Sequence, residues 1–186
     1  LRNSSAASDV YKRQDIEVEL NEFVGYENTE STSKIYQVET YDDKFIIFTE
    51  ENPFYYEAGG QISDKGVITI DDNTIEVTDV FQASNGATGL IVDSDIFKVD
   101  QKVELSINKS FRSGVSKSHT GAHIVHSALR IILGDHVAQA GSNVAPGKFR
   151  FDFSHTEKVS QEELDEIFAL SNNAVFEDYE VVTNIM

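Results

Sequence analysis

Hydrophobic positions change their period near residue 110. Between residues 35 and 107 they recur mostly at every second position in short runs, the pattern of half-buried strands. IYQVETY (35–41) and KFIIFTE (44–50) flank Asp42-Asp43, and GVITID (66–71) and TIEVTDV (74–80) flank Asp72-Asn73. Each couple predicts a hairpin. ATGLIVD (87–93) and KVELSI (102–107) add two strands. Short strands joined by Asp, Asn and Gly turns predict a small antiparallel barrel.

Beyond residue 115 the period lengthens to that of a helix, predicted over 116–133 in SKSHTGAHIVHSALRIIL. Val115, Ala122, Val125, Leu129 and Ile132 share one arc, and Ile124, Ala128 and Ile131 extend it, so the helix is expected to be buried around most of its circumference. At 100° per residue His119, His123, His126 and Arg130 fall within an arc of roughly 60° on the remaining side. Gly134 stands where a helix C′ residue would. Residues 137–147 and 148–155 read as a strand pair or a strand and loop, with Phe149, Phe151 and Phe153 alternating with Lys148, Arg150 and Asp152. Ser160 and Glu163 form a capping box that opens a second helix running to about Ala174, and residues 179–185 predict a final strand. Residues 1–14 lack periodicity and read as a disordered or foreign leader. The predicted organisation is therefore α+β: leader 1–14, β-barrel subdomain 15–108, and an α+β region 109–186 with the long helix against a sheet.

The chain has 186 residues, no Cys and no apolar run near the roughly 18 residues of a membrane span, which predicts a cytoplasmic protein without a membrane partner. The net charge is −17, but it is unevenly placed. Residues 15–108 hold 21 acids and five bases, whereas residues 109–155 hold six bases and two acids. A polyanion is thus expected at the His-rich region, and Arg112, Lys117, Arg130, Lys148 and Arg150 are the candidate contacts, with scattered surface charge the alternative.

Two stretches carry possible chemistry. His119 and His123 lie four apart, a spacing that lets two imidazoles converge on one metal, and all five His fall within residues 119–155. No carboxylate lies between them, so the H-E-x-x-H chemistry of zinc proteases is a weak alternative. The second stretch is NPFYYEAGGQISDKG (52–66). Its Gly59-Gly60 pair permits positive φ or close approach, and the Gln61 amide directly follows. A tight interstrand loop with buried aromatics fits the same residues.

NPFYYEAGGQISDKG resembles the F-Y-x-E-x-G-G-Q-x-x-D-x-G signature of the alanyl-tRNA synthetase family. SHTGAHIVHSALRIILGDHVAQAGSNVAPGKFRFDFSH resembles that family's H-T-x-x-H-x-x-x-x-A-L-R-x-x-L-G-x-H-V-x-Q-x-G-S and R-F-D-F-S-H signatures. The match covers about residues 16–186. It implies a fragment: the central β-barrel and the start of the editing domain, which hydrolyses Ser-tRNA(Ala) and Gly-tRNA(Ala) made in error. A pocket sized for alanine cannot strongly reject either amino acid, so a second site is needed. The implied roles are zinc ligation by His119 and His123, with a Cys and a further His expected later in the family, and lining of the editing pocket by Gln61 and Thr120. Ala122 stands where the family commonly has a second Thr. With two ligands the zinc site is incomplete, so the fragment itself is expected to be inactive; ATP and Mg2+ belong to the ligase domain. The implied partner is the acceptor end of tRNA(Ala). Two other functions fit: a free-standing trans-editing deacylase, and a non-catalytic tRNA-binding module.

Overall fold

The computed structural model describes residues 16–179. The leader reading of 1–14 and, Tyr179 apart, the strand expected over 179–185 lie outside them. The chain forms two compact units, one extending to Ala58 and resuming over Ile62–Arg112, the other comprising Gly59–Gln61 and the chain from Ser113.

The first unit holds a seven-stranded antiparallel sheet in the order β6-β5-β9-β2-β3-β8-β7. Its strands are β2 (Glu30–Tyr41), β3 (Lys44–Thr49), β5 (Gly66–Ile70), β6 (Asn73–Val77), β7 (Asp79–Gln82), β8 (Thr88–Val92) and β9 (Lys102–Ile107). Two short strands, β1 (Glu22–Phe23) and β4 (Glu51–Asn52), pair in parallel. Strand β2 serves two neighbours: Glu30–Lys34 pair with β9, and Ile35 to Tyr41 with β3. The sequence pattern missed its first part, because Glu-Ser-Thr-Ser-Lys has no apolar alternation; backbone pairing to β9 makes it a strand.

The single strand expected over 74–80 is broken at Thr78, whose N–H and hydroxyl both donate to the Ile91 carbonyl (2.8 and 3.1 Å). The break leaves β6 and β7 at opposite ends of the strand order with one residue between them, so the sheet nearly closes and is barrel-like. Only β6 and β7 are left as edge strands of this sheet. Ile35, Ile47, Ile68, Val77, Leu90 and Leu105 belong to one buried cluster, while Ile46, Phe48, Phe81 and Ile91 belong to a second. Strand β3 thus contributes to both clusters, as alternation requires when both faces are covered.

A buried ion pair cross-links this unit. Asp64 is 2% exposed at its side chain and Arg112 15%. The Arg112 guanidinium chelates Asp64 through Nε and a terminal nitrogen, and donates to the carbonyls of Gly25 (2.6 Å) and Pro53 (3.0 Å). Asp64 also accepts from the Tyr55 N–H at 2.8 Å.

Helix α1 (Lys109–Leu133) starts seven residues before the predicted 116. Asn108 caps it, its side chain accepting from the Phe111 N–H at 2.9 Å. The Gly134 N–H bonds the Arg130 carbonyl (3.0 Å), and φ of 113° at Gly134 ends the helix as expected. In the second unit β10 (Ala138–Ala145) and β11 (Lys148–Ser154) form an antiparallel hairpin, followed by α2 (Gln161–Phe176). The Ser160–Glu163 capping box is present in both directions. Ala128, Leu129, Val137 and Ile167 form the core of this unit, with Phe151 and Phe153 of β11 against it. The burial of α1 is narrower than its sequence predicts. Its buried positions are Val115, Ser118, Ala122, Ala128 and Leu129, while Ile131 is 66% exposed.

Candidate functional site

The reach of Gln61 begins with its two glycines. Gly59 and Gly60 have φ of 61° and 80°, in the left-handed region that favours glycine. A Cβ on Gly60 would lie 2.1 Å from Ser142 Oγ, so only glycine lets this segment lie against β10. The Gly60 carbonyl accepts from the Val144 N–H at 2.7 Å, and Gln61 forms an isolated parallel bridge with Val144. These contacts hold the buried Gln61 side chain beside α1.

There Gln61 Oε1 lies 2.7 Å from His119 Nδ1. A carbonyl oxygen can only accept, so the neutral ring carries its proton on Nδ1 and keeps a lone pair on Nε2. His123, one turn on, stacks on His119 with ring centroids 5.0 Å apart and planes 17° from parallel. The His119 pKa is held below the ordinary imidazole value, first by burial and then by the neighbouring His123. A cleft of about 20 Å³, lined by Gly59, His119, Ala122, His123, Gln139, Ser142, Val144 and Phe151, opens beside the two rings. That is room for about one water.

The five histidines separate into three groups. His119 and His123 stand together. His126 turns against Phe151 (4.8 Å between centroids) with its Nε2 buried and unpartnered. His136 Nε2 and His155 Nδ1 are hydrogen-bonded at 2.8 Å. Among the described residues no group of three or more His, Cys, Asp or Glu is placed to hold a metal. His119 and His123 are the residues that would hold a metal here, and the Gln61 carbonyl on His119 Nδ1 is the kind of support that orients a ligating imidazole.

The structure brings Gln61 to His119 but not Thr120, which is exposed and rotated about 100° around the helix. Ala122, the residue that departs from the family pattern, lines the cleft instead. Gln139 and Ser142 were not singled out from sequence. Gln139 Nε2 donates to Ser142 Oγ (3.0 Å), which donates in turn to the Gly59 carbonyl (3.4 Å). The five bases also divide. Arg112 is engaged inside the first unit, Arg130 pairs with Asp135 and Arg150 with Asp152. Lys117 and Lys148 are exposed, with no ion pair or hydrogen bond among the described residues.

A family model described as tRNA synthetases class II (A) matches residues 2–111. The chain belongs to that family. Its relatives include the alanine–tRNA ligase of Lysinibacillus sphaericus, 40% identical over 89% of this chain and 20% of the ligase. The alanine–tRNA ligase of Caldicellulosiruptor saccharolyticus is 36% identical over 82% of this chain and 19% of its own length. That of Listeria welshimeri is 36% identical over 100% of this chain and 23% of its own length. The alanyl-tRNA synthetase likeness carried by the two motifs is thus confirmed, and the chain spans about a fifth to a quarter of these relatives. The His-rich region lies beyond the part matched by the class II model and within the part shared with the ligases.

The tautomer assignment is testable by long-range ¹H–¹⁵N NMR. His119 is expected to remain neutral to a pH below that of a free imidazole, with its proton on Nδ1. A lowered imidazole pKa contributes stability that is present above the unfolded value and is lost as pH falls through the folded one. A His119 titrating at or above about 6.5 would contradict the geometry.

Proposed function

We propose that this chain supplies the β-barrel and the first part of the editing centre of an alanine–tRNA ligase, with mischarged Ser-tRNA(Ala) and Gly-tRNA(Ala) as substrates. The observation that carries the reading is the Gln61–His119 hydrogen bond, which joins the two motifs resembling alanyl-tRNA synthetase at one site. His119 and His123 are the residues that would hold zinc. Zinc bound there would polarise the ester carbonyl or lower the pKa of a water. Gln61 fixes the His119 ring and its tautomer. The lone pair left on Nε2 suits ligation, and the neighbouring cleft has room for one hydrolytic water. The class II match over residues 2–111 favours a ligase segment over a free-standing deacylase.

Among the described residues only His119 and His123 offer donors here, and a zinc site takes three or four protein ligands, so the 186-residue chain is expected to bind zinc weakly and to be inactive alone. Calorimetry with tight one-to-one zinc binding would refute that. The functional test is a chimera in which residues 16–186 replace the matched segment of the Lysinibacillus ligase. It is expected to hydrolyse Ser-tRNA(Ala), and Gln61→Leu to reduce this by about 10–100-fold, as for other partners that orient a metal ligand. A chimera no faster than its own His119→Ala variant would refute the editing reading.

A further inference from the structure

Gln61 is carried by a loop whose base is closed twice. The Tyr55 N–H donates to the Asp64 carboxylate at 2.8 Å, and the Asp64 N–H donates to the Tyr55 carbonyl at 3.1 Å. Residues 55 and 64 therefore pair, and the tip Gly59–Gln61 lies between them. The stem after the tip is held further. Ser63, only 6% exposed, donates through Oγ to Asp79 Oδ1 at 2.8 Å. Lys65 Nζ donates to the Thr78 carbonyl at 2.9 Å. Consecutive residues 63, 64 and 65 are thus each fixed by a side chain.

Asp64 is also the partner of Arg112, and Arg112 stands in the first turn of the helix that carries His119. Arg112 and His119 are seven positions apart on α1, about 20° short of two full turns. They therefore project to one side, about 10.5 Å apart along the axis. Gln61 and Asp64 are three positions apart, and three residues of extended chain span about 10 Å. The two acceptors on the loop thus have the same spacing as the two donors on the helix. Each bond lies within one compact unit, Asp64–Arg112 in the first and Gln61–His119 in the second. Covalent chain joins them, through residues 62–63 on one side and two turns of α1 on the other.

We infer that Asp64 and Arg112 are positioning residues for His119: their ion pair fixes the stem of the loop and so holds the Gln61 carbonyl at the imidazole. The consequence for hydrolysis rests on the editing reading above, whereas the consequence for the imidazole does not. Arg112 directs its donors to Asp64, Gly25 and Pro53, so it acts on the ring through Gln61. Along the sequence Gln61 and His119 are 58 residues apart. Through the ion pair the same contact closes over three steps of loop and seven of helix. Closure entropy follows the 3/2 power of length, so this shortening favours the contact by up to roughly tenfold.

The experiment is amide hydrogen exchange and long-range ¹H–¹⁵N NMR on the 186-residue chain and on a variant with Arg112→Met and Asp64→Leu together. That variant removes the tie without stranding a buried charge. The Val144 N–H, bonded to the Gly60 carbonyl at 2.7 Å, reports on the loop tip. In the variant it is expected to exchange several-fold faster, up to about tenfold. At a pH where the ring is neutral, the Nε2–H tautomer of His119 should grow at the expense of Nδ1–H. The Gly134 N–H, bonded to the Arg130 carbonyl at the far end of α1, should keep its rate. Continued protection of the Thr78 N–H, bonded to Ile91, verifies that the barrel is folded. Lys34→Met, which removes the exposed pair with Asp100, should move neither reporter. If the double variant does not fold, Arg112→Lys is read in the same way, since it keeps a cation at Asp64 but not the planar fork. In the Lysinibacillus chimera the change should lower kcat for Ser-tRNA(Ala) with KM little altered. Val144 exchange and His119 tautomer unchanged in a folded variant overturn the proposal. So does equal acceleration at Val144 and Gly134, which would make the pair structural alone. A chimera without hydrolysis counts against the editing reading and leaves both NMR readouts standing.

Discussion

Arg112→Ala is expected to lower the free energy of unfolding by about 3–5 kcal/mol, the range for removing one member of a buried ion pair. The reason is the orphaned partner. Asp64, nearly inaccessible, would keep only the Tyr55 N–H, and the Gly25 and Pro53 carbonyls would each lose a donor. Urea unfolding followed by circular dichroism measures the loss. A double replacement, Arg112→Met with Asp64→Leu, should be less damaging than Arg112→Ala, because it strands no buried charge. A loss under about 1 kcal/mol for Arg112→Ala, as for an exposed pair, would refute this account.

Gly60→Ala is expected to disable the candidate site. At φ of 80° any Cβ is strained, at about 1–3 kcal/mol for the backbone alone. The added methyl would also stand 2.1 Å from Ser142 Oγ and 2.8 Å from the Ser142 carbonyl oxygen. Relief requires the Gly59–Gln61 segment to withdraw from β10, which breaks the Val144–Gly60 bond and moves Gln61 off His119. His119 should then titrate closer to a free imidazole, and Ser-tRNA(Ala) hydrolysis by the chimera should fall by at least about tenfold, as when a ligand's supporting partner is lost. Gly86→Ala is the control. Its φ is 95° but only Leu20 Cδ1, at 3.8 Å, lies near the added carbon, so it carries backbone strain without the steric conflict. Equal losses of hydrolysis in both variants would remove Gly60 from the site.

Much of the architecture was legible because side-chain period reports directly on burial. The β2–β3 and β5–β6 hairpins, the capping box at Ser160 and the C′ role of Gly134 all follow from local patterns. What escaped depended on backbone pairing or on distant contacts. Residues 30–34 carry no apolar signal, and the break at Thr78 is fixed by its two bonds to Ile91. The long helix was read as more deeply buried than it is, since period says which positions share a face but not how wide a partner covers them. The same limit applied to the imidazoles. The helical arc correctly grouped His119 with His123, but could not show that His126 turns to Phe151. Charge counting found six bases in residues 109–155, five of them candidate contacts. Only side-chain partners could separate Lys117 and Lys148, unpaired among the described residues, from Arg112, which cross-links the barrel.

The Gly59–Gln61 excursion has a consequence for synthesis on the ribosome. These residues are translated among the strands of the first unit, yet their partners on β10 follow about 80 residues later, which at 5–20 residues per second is a wait of roughly 4–16 s. During that interval the Asp64 end of the same loop acquires Arg112 long before Gln61 can acquire Val144. A nascent chain therefore gains the ion pair of the barrel first and the oriented imidazole last, so that order of emergence alone keeps an unsupported His119 from preceding the scaffold that neighbours Gln61 in sequence.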